Sequence, residues 1–180
     1  MFMEEVNEEH KKEILETANK VASGEYEVSW ENNSVGIPKL LKKKTEIEKG
    51  KKAKKSGTDF ELKVRKDLEE KGWTVSKWQN NVDMGSKKVV PAKRVFNPFR
   101  KVMTIGTGFP DFIAFQLIGE KTYNVIGVES KLNGLLSREE KEKCAFLLDS
   151  KVFNEIWIST KNDKGKVEYL NFKERFPKFT

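Results

Sequence analysis

Two short segments carry residues that could act together. Phe109-Pro110-Asp111-Phe112-Ile113-Ala114-Phe115 puts an acid at the start of an apolar, β-like run. Val125-Ile126-Gly127-Val128-Glu129-Ser130-Lys131 puts an acid and a lysine at the end of another. Side chains two apart leave the same face of a strand, so Glu129 and Lys131 project together. A carboxylate and an ammonium group at the rim of a sheet, joined by a second carboxylate from a neighbouring strand, make a site for a hard divalent cation and a phosphate.

Glu-x-Lys alone is a weak signal, because it occurs five times, at Glu9, Glu61, Glu69, Glu129 and Glu139. Four of these lie in charge-rich segments that read as helices, where such pairs decorate the solvent face. Only Glu129-Ser130-Lys131 ends a β-branched apolar run and has a Pro-Asp strand upstream. The order Pro-Asp, seventeen residues, Glu-x-Lys resembles that of the PD-(D/E)XK nucleases, over about residues 57–160. The resemblance implies an α/β fold with a restriction-endonuclease-like core, a central mixed β-sheet flanked by helices. It implies Mg²⁺, with Mn²⁺ able to substitute, held by Asp111, Glu129 and the main-chain carbonyl of Ser130. Glu61, from the first core helix, matches a further acid that the family often adds. Lys131 would orient or help deprotonate the attacking water, or steady the charge on the phosphate; because an ammonium group next to two acids has a raised pKa, the positioning and electrostatic role is favoured. In the replication-repair branch a Gln commonly follows in the next helix; here Glu140 stands at that place, a departure. The activity implied is that of a metal-dependent DNA endonuclease, structure-specific on Holliday junctions, flaps or other branched DNA. The alternatives are a sequence-specific enzyme of restriction or homing type, and a nucleic-acid-binding protein without turnover.

The elements that must position these residues follow from the patterning. Ile14, Leu15, Ala18, Val21 and Ala22 fall on one face of a helix over residues 4–22, which Gly24 ends. Residues 39–55 hold nine Lys and two Glu, and read as a linker or mobile arm, either a solvated tether or a grip on phosphate backbone. Thr58-Asp59-Phe60-Glu61 reads as a capping box opening the first core helix, with Phe60, Val64 and Leu68 on its apolar face and Gly72 at its close. A strand over 74–82 precedes residues 84–110, which contain six basic residues and no acid. That stretch reads as a hairpin or long loop along nucleic acid, or else as an irregular surface loop with Phe96 and Phe99 tucked into the core. Strands over 111–117 and 123–131 follow. A second capping box, Ser137-Arg138-Glu139-Glu140, opens a helix to about Leu148, and strands at Phe153–Ser159 and Val167–Phe172 complete the order. The domain reading is an amphipathic helix and Lys-rich arm over 1–55, and a nuclease domain over 56–180. The nucleic-acid contacts expected are Lys51, Lys52, Lys54 and Lys55 in the arm, with Lys87, Lys88, Lys93, Arg94, Arg100 and Lys101 in the later stretch.

The 180 residues carry a net charge of +7, consistent with an anionic partner such as DNA. One Cys excludes an internal disulfide framework and Cys-rich zinc sites, and the single His10 argues against His-based chemistry and His-held metals. Cys144, among Ala145, Phe146, Leu147 and Leu148, reads as a buried thiol. No apolar run approaches membrane-spanning length, so an intracellular, cytoplasmic protein is expected, in the host cytoplasm if the chain is viral. A homodimer is expected, built on the N-terminal helix and the apolar strand Phe153–Ser159.

Overall fold

A computed structural model describes residues 8–29, 39–97, 101–106 and 108–179. Two compact units divide the chain, 1–56 and 57–180. The first contains helix α1 (Glu8–Ala22) and strands β1 (Tyr26–Ser29) and β2 (Lys39–Lys43), which pair antiparallel. Along α1, Ile14 and Val21 are partly covered, whereas Leu15 of the expected apolar face is 63% exposed. Residues 4–7 of the expected helix lie outside the described residues.

The Lys-rich stretch is not a linker. Its first residues form β2, and helix α2 runs without a break from Lys44 to Glu70. Lys, Glu and Ala are good helix formers and no proline interrupts them, which outweighs a cost of about 1 kcal/mol each for Gly50 and Gly57. Thr58 therefore lies inside a helix, so the first of the two expected capping boxes is not a helix start. Phe60, Val64 and Leu68 are buried as their spacing requires. The helix closes at Gly72, where Gly72 N–H donates to Glu69 O and Trp73 N–H to Leu68 O, both at 3.0 Å.

The second unit is built on a five-stranded mixed sheet in the order β11-β10-β9-β8-β3: Val167–Asn171, Glu155–Lys161, Tyr123–Ser130, Phe112–Leu117 and Thr74–Lys77. Only β9 and β10 run parallel. Period-two alternation gives the sheet two apolar faces. On one, Val75, Phe112, Ala114, Ile126 and Val128 pack with Phe60, Val64 and Leu68 of α2. On the other, Phe153, Ile156 and Ile158 pack with Cys144, Leu147 and Leu148 of helix α3 (Arg138–Asp149), and with Phe172 of the short helix α4 (Phe172–Arg175). Central strand β9 is buried on both sides, so its charged end is imposed on an apolar element.

The strand expected over 74–82 breaks at Trp78 and Gln79. There Trp78 N–H turns to Asp111 O (3.1 Å), and the chain leaves the sheet for two hairpins. These are β4 with β5 (Asn80–Asp83, Lys88–Pro91) and β6 with β7 (Arg94–Asn97, Val102–Ile105). The basic stretch is thus a pair of hairpins; Pro98, Phe99 and Arg100 lie outside the described residues. Strand β10 is internal, with β11 along its outer edge and Ile156 and Ile158 fully buried. It does not offer the dimer surface expected of it.

Candidate active site

Asp111 and Glu129 meet where the β8–β9 ladder ends. The last antiparallel pair is Phe112 with Val128. Beyond it the two acids replace the ladder with a reciprocal exchange. Asp111 N–H donates to Glu129 Oε2 (3.1 Å), and Ser130 N–H donates to Asp111 Oδ2 (2.9 Å). Lys131 N–H continues the parallel ladder to Ser159 O (2.9 Å), fixing the lysine's backbone just past β9. Glu129 and Lys131 do leave the same face, with Lys131 Nζ 3.1 Å from Glu129 Oε1.

Glu140 completes the cluster from α3. Its Oε2 accepts Ser137 N–H (2.7 Å), and Glu140 N–H donates to Ser137 Oγ (3.2 Å), closing the expected capping box. Its Oε1 takes Lys131 Nζ at 2.6 Å. The residue is therefore both a cap and the lysine's partner. Glu61, one turn of α2 before Val64, faces the same cleft but pairs with Lys77 of β3. Lys77 lies opposite Phe112 in register and places its ammonium 4.5 Å from that ring's centre. Glu61, Asp111, Glu129, Lys131 and Glu140 line a cleft of ≈ 400 Å³, together with Asn81, Gly108, Phe109, Glu139 and Lys143.

The electrostatics follow from crowding. Glu129 is only 5% exposed; burial, then the Asp111 charge beside it, push its pKa to about 8. Burial also pushes Asp111 up, against the Ser130 N–H that stabilises its charge, and Glu61 adds to the rise. Burial works against the Lys131 ammonium, but its bonds to Glu140 and Glu129 prevail and hold its pKa above the usual lysine value. Burial would raise Glu140, but hydrogen bonds from Lys131 and Ser137 leave it low.

Between pH about 4.5 and about 8 the folded chain thus holds a proton at the Asp111–Glu129 pair that the unfolded chain has released. The stability this contributes is present below that window and is lost as pH rises through it. Melting temperatures of metal-free protein recorded across the window should fall with pH, and Glu129→Gln should flatten the fall.

Among the described residues, no three or more His, Cys, Asp or Glu side chains are arranged to hold a metal ion. The donor set does not fit a zinc cage. It does fit a hard cation that needs few protein oxygens and keeps its waters: a buried carboxylate, Glu129, and a half-buried one, Asp111, both raised by burial and Glu129 also by the Asp111 charge, beside the Ser130 main chain. Lys77 and Lys143, which lines the cleft and pairs with Glu139 at 2.8 Å, were not legible as site residues. The usable signal for Lys77 was its strand position opposite the residue after Asp111. The arm lysines Lys51, Lys52, Lys54 and Lys55 are exposed on α2 in the first unit, and Lys87, Lys88, Lys93, Arg94 and Lys101 are exposed on the hairpins. Arg100 lies outside the described residues.

No protein-family model, curated protein or solved structure matches this chain. Fold and site together define a mixed α/β protein with a five-stranded mixed central sheet and flanking helices, whose acids cluster at one end of the sheet. Among the described residues no helix is long and apolar enough to cross a membrane.

Proposed function

We propose that the chain is a metal-dependent DNA endonuclease with a restriction-endonuclease-like core. The observation that carries this is the convergence of Asp111, Glu129 and Lys131 from adjacent strands on one open cleft. Asp111, Glu129 and the Ser130 carbonyl would hold Mg²⁺ or Mn²⁺, with Glu61 reaching the cleft from α2. When bound, such a cation would make a water easier to deprotonate and would offset charge on the phosphate. Glu140 and Glu129 favour the charged form of Lys131, which suits a positioning and electrostatic role better than that of a base. It orients the water and meets the negative charge that develops on the phosphate. Sheet, helices and two hairpins leave no separate sequence-reading module among the described residues, which favours substrates defined by DNA structure, such as branched or flapped duplexes. The expected homodimer would have to use α1, where Leu15 is exposed.

The test is cleavage of plasmid, single-stranded, flap and four-way substrates in Mg²⁺ or Mn²⁺ against a chelated control. Metal-dependent scission of any of them is expected; binding without scission would favour a nucleic-acid-binding protein. Lysines that grip phosphates without reading bases displace counterions. Replacing Lys51, Lys52, Lys54 and Lys55 by Gln should weaken binding to every sequence alike. It should also reduce the slope of log K against log salt by about 0.9 for each phosphate that is no longer neutralised. An unchanged slope would make this part of α2 merely a solvated helix.

A further inference from the structure

Hairpin β6–β7 holds large apolar side chains in water. Phe96 and Met103 oppose each other across it, 55% and 57% exposed, and Val102 beside them is 47% exposed. Among the described residues the hairpin pairs with no other strand. Its surroundings are cationic: Lys93, Arg94 and Lys101 are exposed, and the stretch 84–110 contains no acid. Lys101 adopts φ 51° and Lys87, at the turn of the other hairpin, φ 52°.

We infer that this hairpin is an apolar wedge for DNA, with Phe96 and Met103 entering a weakened base step while the flanking cations hold the adjoining phosphates. Inserted Phe and Met side chains are a known means of unstacking a step, and a mismatch or branch lowers the cost of opening it. Exposed apolar side chains beside cations also suit an anionic lipid surface, but the base of the hairpin argues for DNA. The same stretch supplies Gly108 and Phe109 to the cleft wall, and β4 just before it supplies Asn81. It is pinned there by Phe109 N–H to Asn80 O (2.8 Å) and Gly106 N–H to Lys93 O (2.8 Å). Gly108 runs so close to the Trp78 carbonyl that an added Cβ would lie 2.0 Å from it. These contacts set the base of the hairpin beside the cleft wall, so a duplex opened by the wedge would be presented to the cleft. That last step rests on the nuclease reading of the cleft; the insertion itself does not.

Full-length protein in EDTA, which prevents scission, is titrated with matched duplex, the same duplex carrying one mismatch, and a four-way junction. The mismatched step is flanked by 2-aminopurine. Wild type is expected to bind the two distorted probes about tenfold more tightly than the matched duplex, the scale of one base–aromatic stack, with a rise in 2-aminopurine emission. In Phe96→Ala/Met103→Ala, affinity for the matched duplex should stay within about twofold while the preference and the rise disappear. Phe96→Trp should keep both, and melting curves report the fold of each variant. A double variant that retains preference and emission overturns the wedge, as does wild-type protein that binds anionic vesicles but no DNA. Cleavage in Mg²⁺ is scored separately. Cutting without unstacking sinks the wedge alone, and unstacking without cutting sinks the nuclease reading alone.

Discussion

On the proposed nuclease reading, Asp111→Ala and Glu129→Ala should each lower metal-dependent cleavage by about 10³-fold or more, because each removes one of the two carboxylates that would hold the metal. Affinity for DNA measured in EDTA should change little, since neither side chain belongs to the basic surface. The fold should also survive. Asp111→Ala frees the Ser130 N–H, but at the wall of an open cleft water can take it, and the loss of one crowded buried charge offsets part of the cost. A readout independent of turnover is at hand. At a Mn²⁺ concentration about one hundred times the dissociation constant, wild-type protein should gain about 2.7 kcal/mol of stability, and the variants almost none. Wild-type rates in either variant would remove these residues from the site.

The second large effect concerns a residue with no side chain. Gly127 faces α3 from the middle of β9, and an added Cβ would lie 2.8 Å from Pro110 Cγ and 3.1 Å from Phe153 Cδ2. Both neighbours are fully buried, so neither can swing aside. Gly127→Ala should cost about 1–3 kcal/mol in denaturant unfolding, the usual range for overpacking. It should also depress cleavage more than that loss of stability explains, because the ring it displaces belongs to the residue before Asp111. Unchanged unfolding in Gly127→Ala would mean that Pro110 and Phe153 do not close over β9 as described.

The parts of this site that could be read from the chain are those set by local periodicity. Glu129 and Lys131 share a face because strands repeat every two residues, and Ser137 caps α3 because hydroxyl and carboxylate stand three apart. What could not be read depends on partners chosen at a distance. The Thr58 box had the right spacing, yet the residues before it, themselves good helix formers, carry the helix through it. The break at Trp78 follows from a hydrogen bond to Asp111, thirty-three residues on. The pairing of Glu61 with Lys77 follows from the β3–β8 register. Glu140 was legible as a cap but not as the partner of Lys131, because nothing in helix spacing says what the cap will face.

That last residue constrains how the protein can be improved. Recapping a helix is among the safest routes to added stability, and Gln is nearly as good as Glu at the fourth position of such a box. Here the carboxylate oxygen that the cap leaves over is the one that holds Lys131. A substitution neutral for the helix would loosen the lysine, so the start of α3 is closed to stability engineering although it looks like ordinary helix surface.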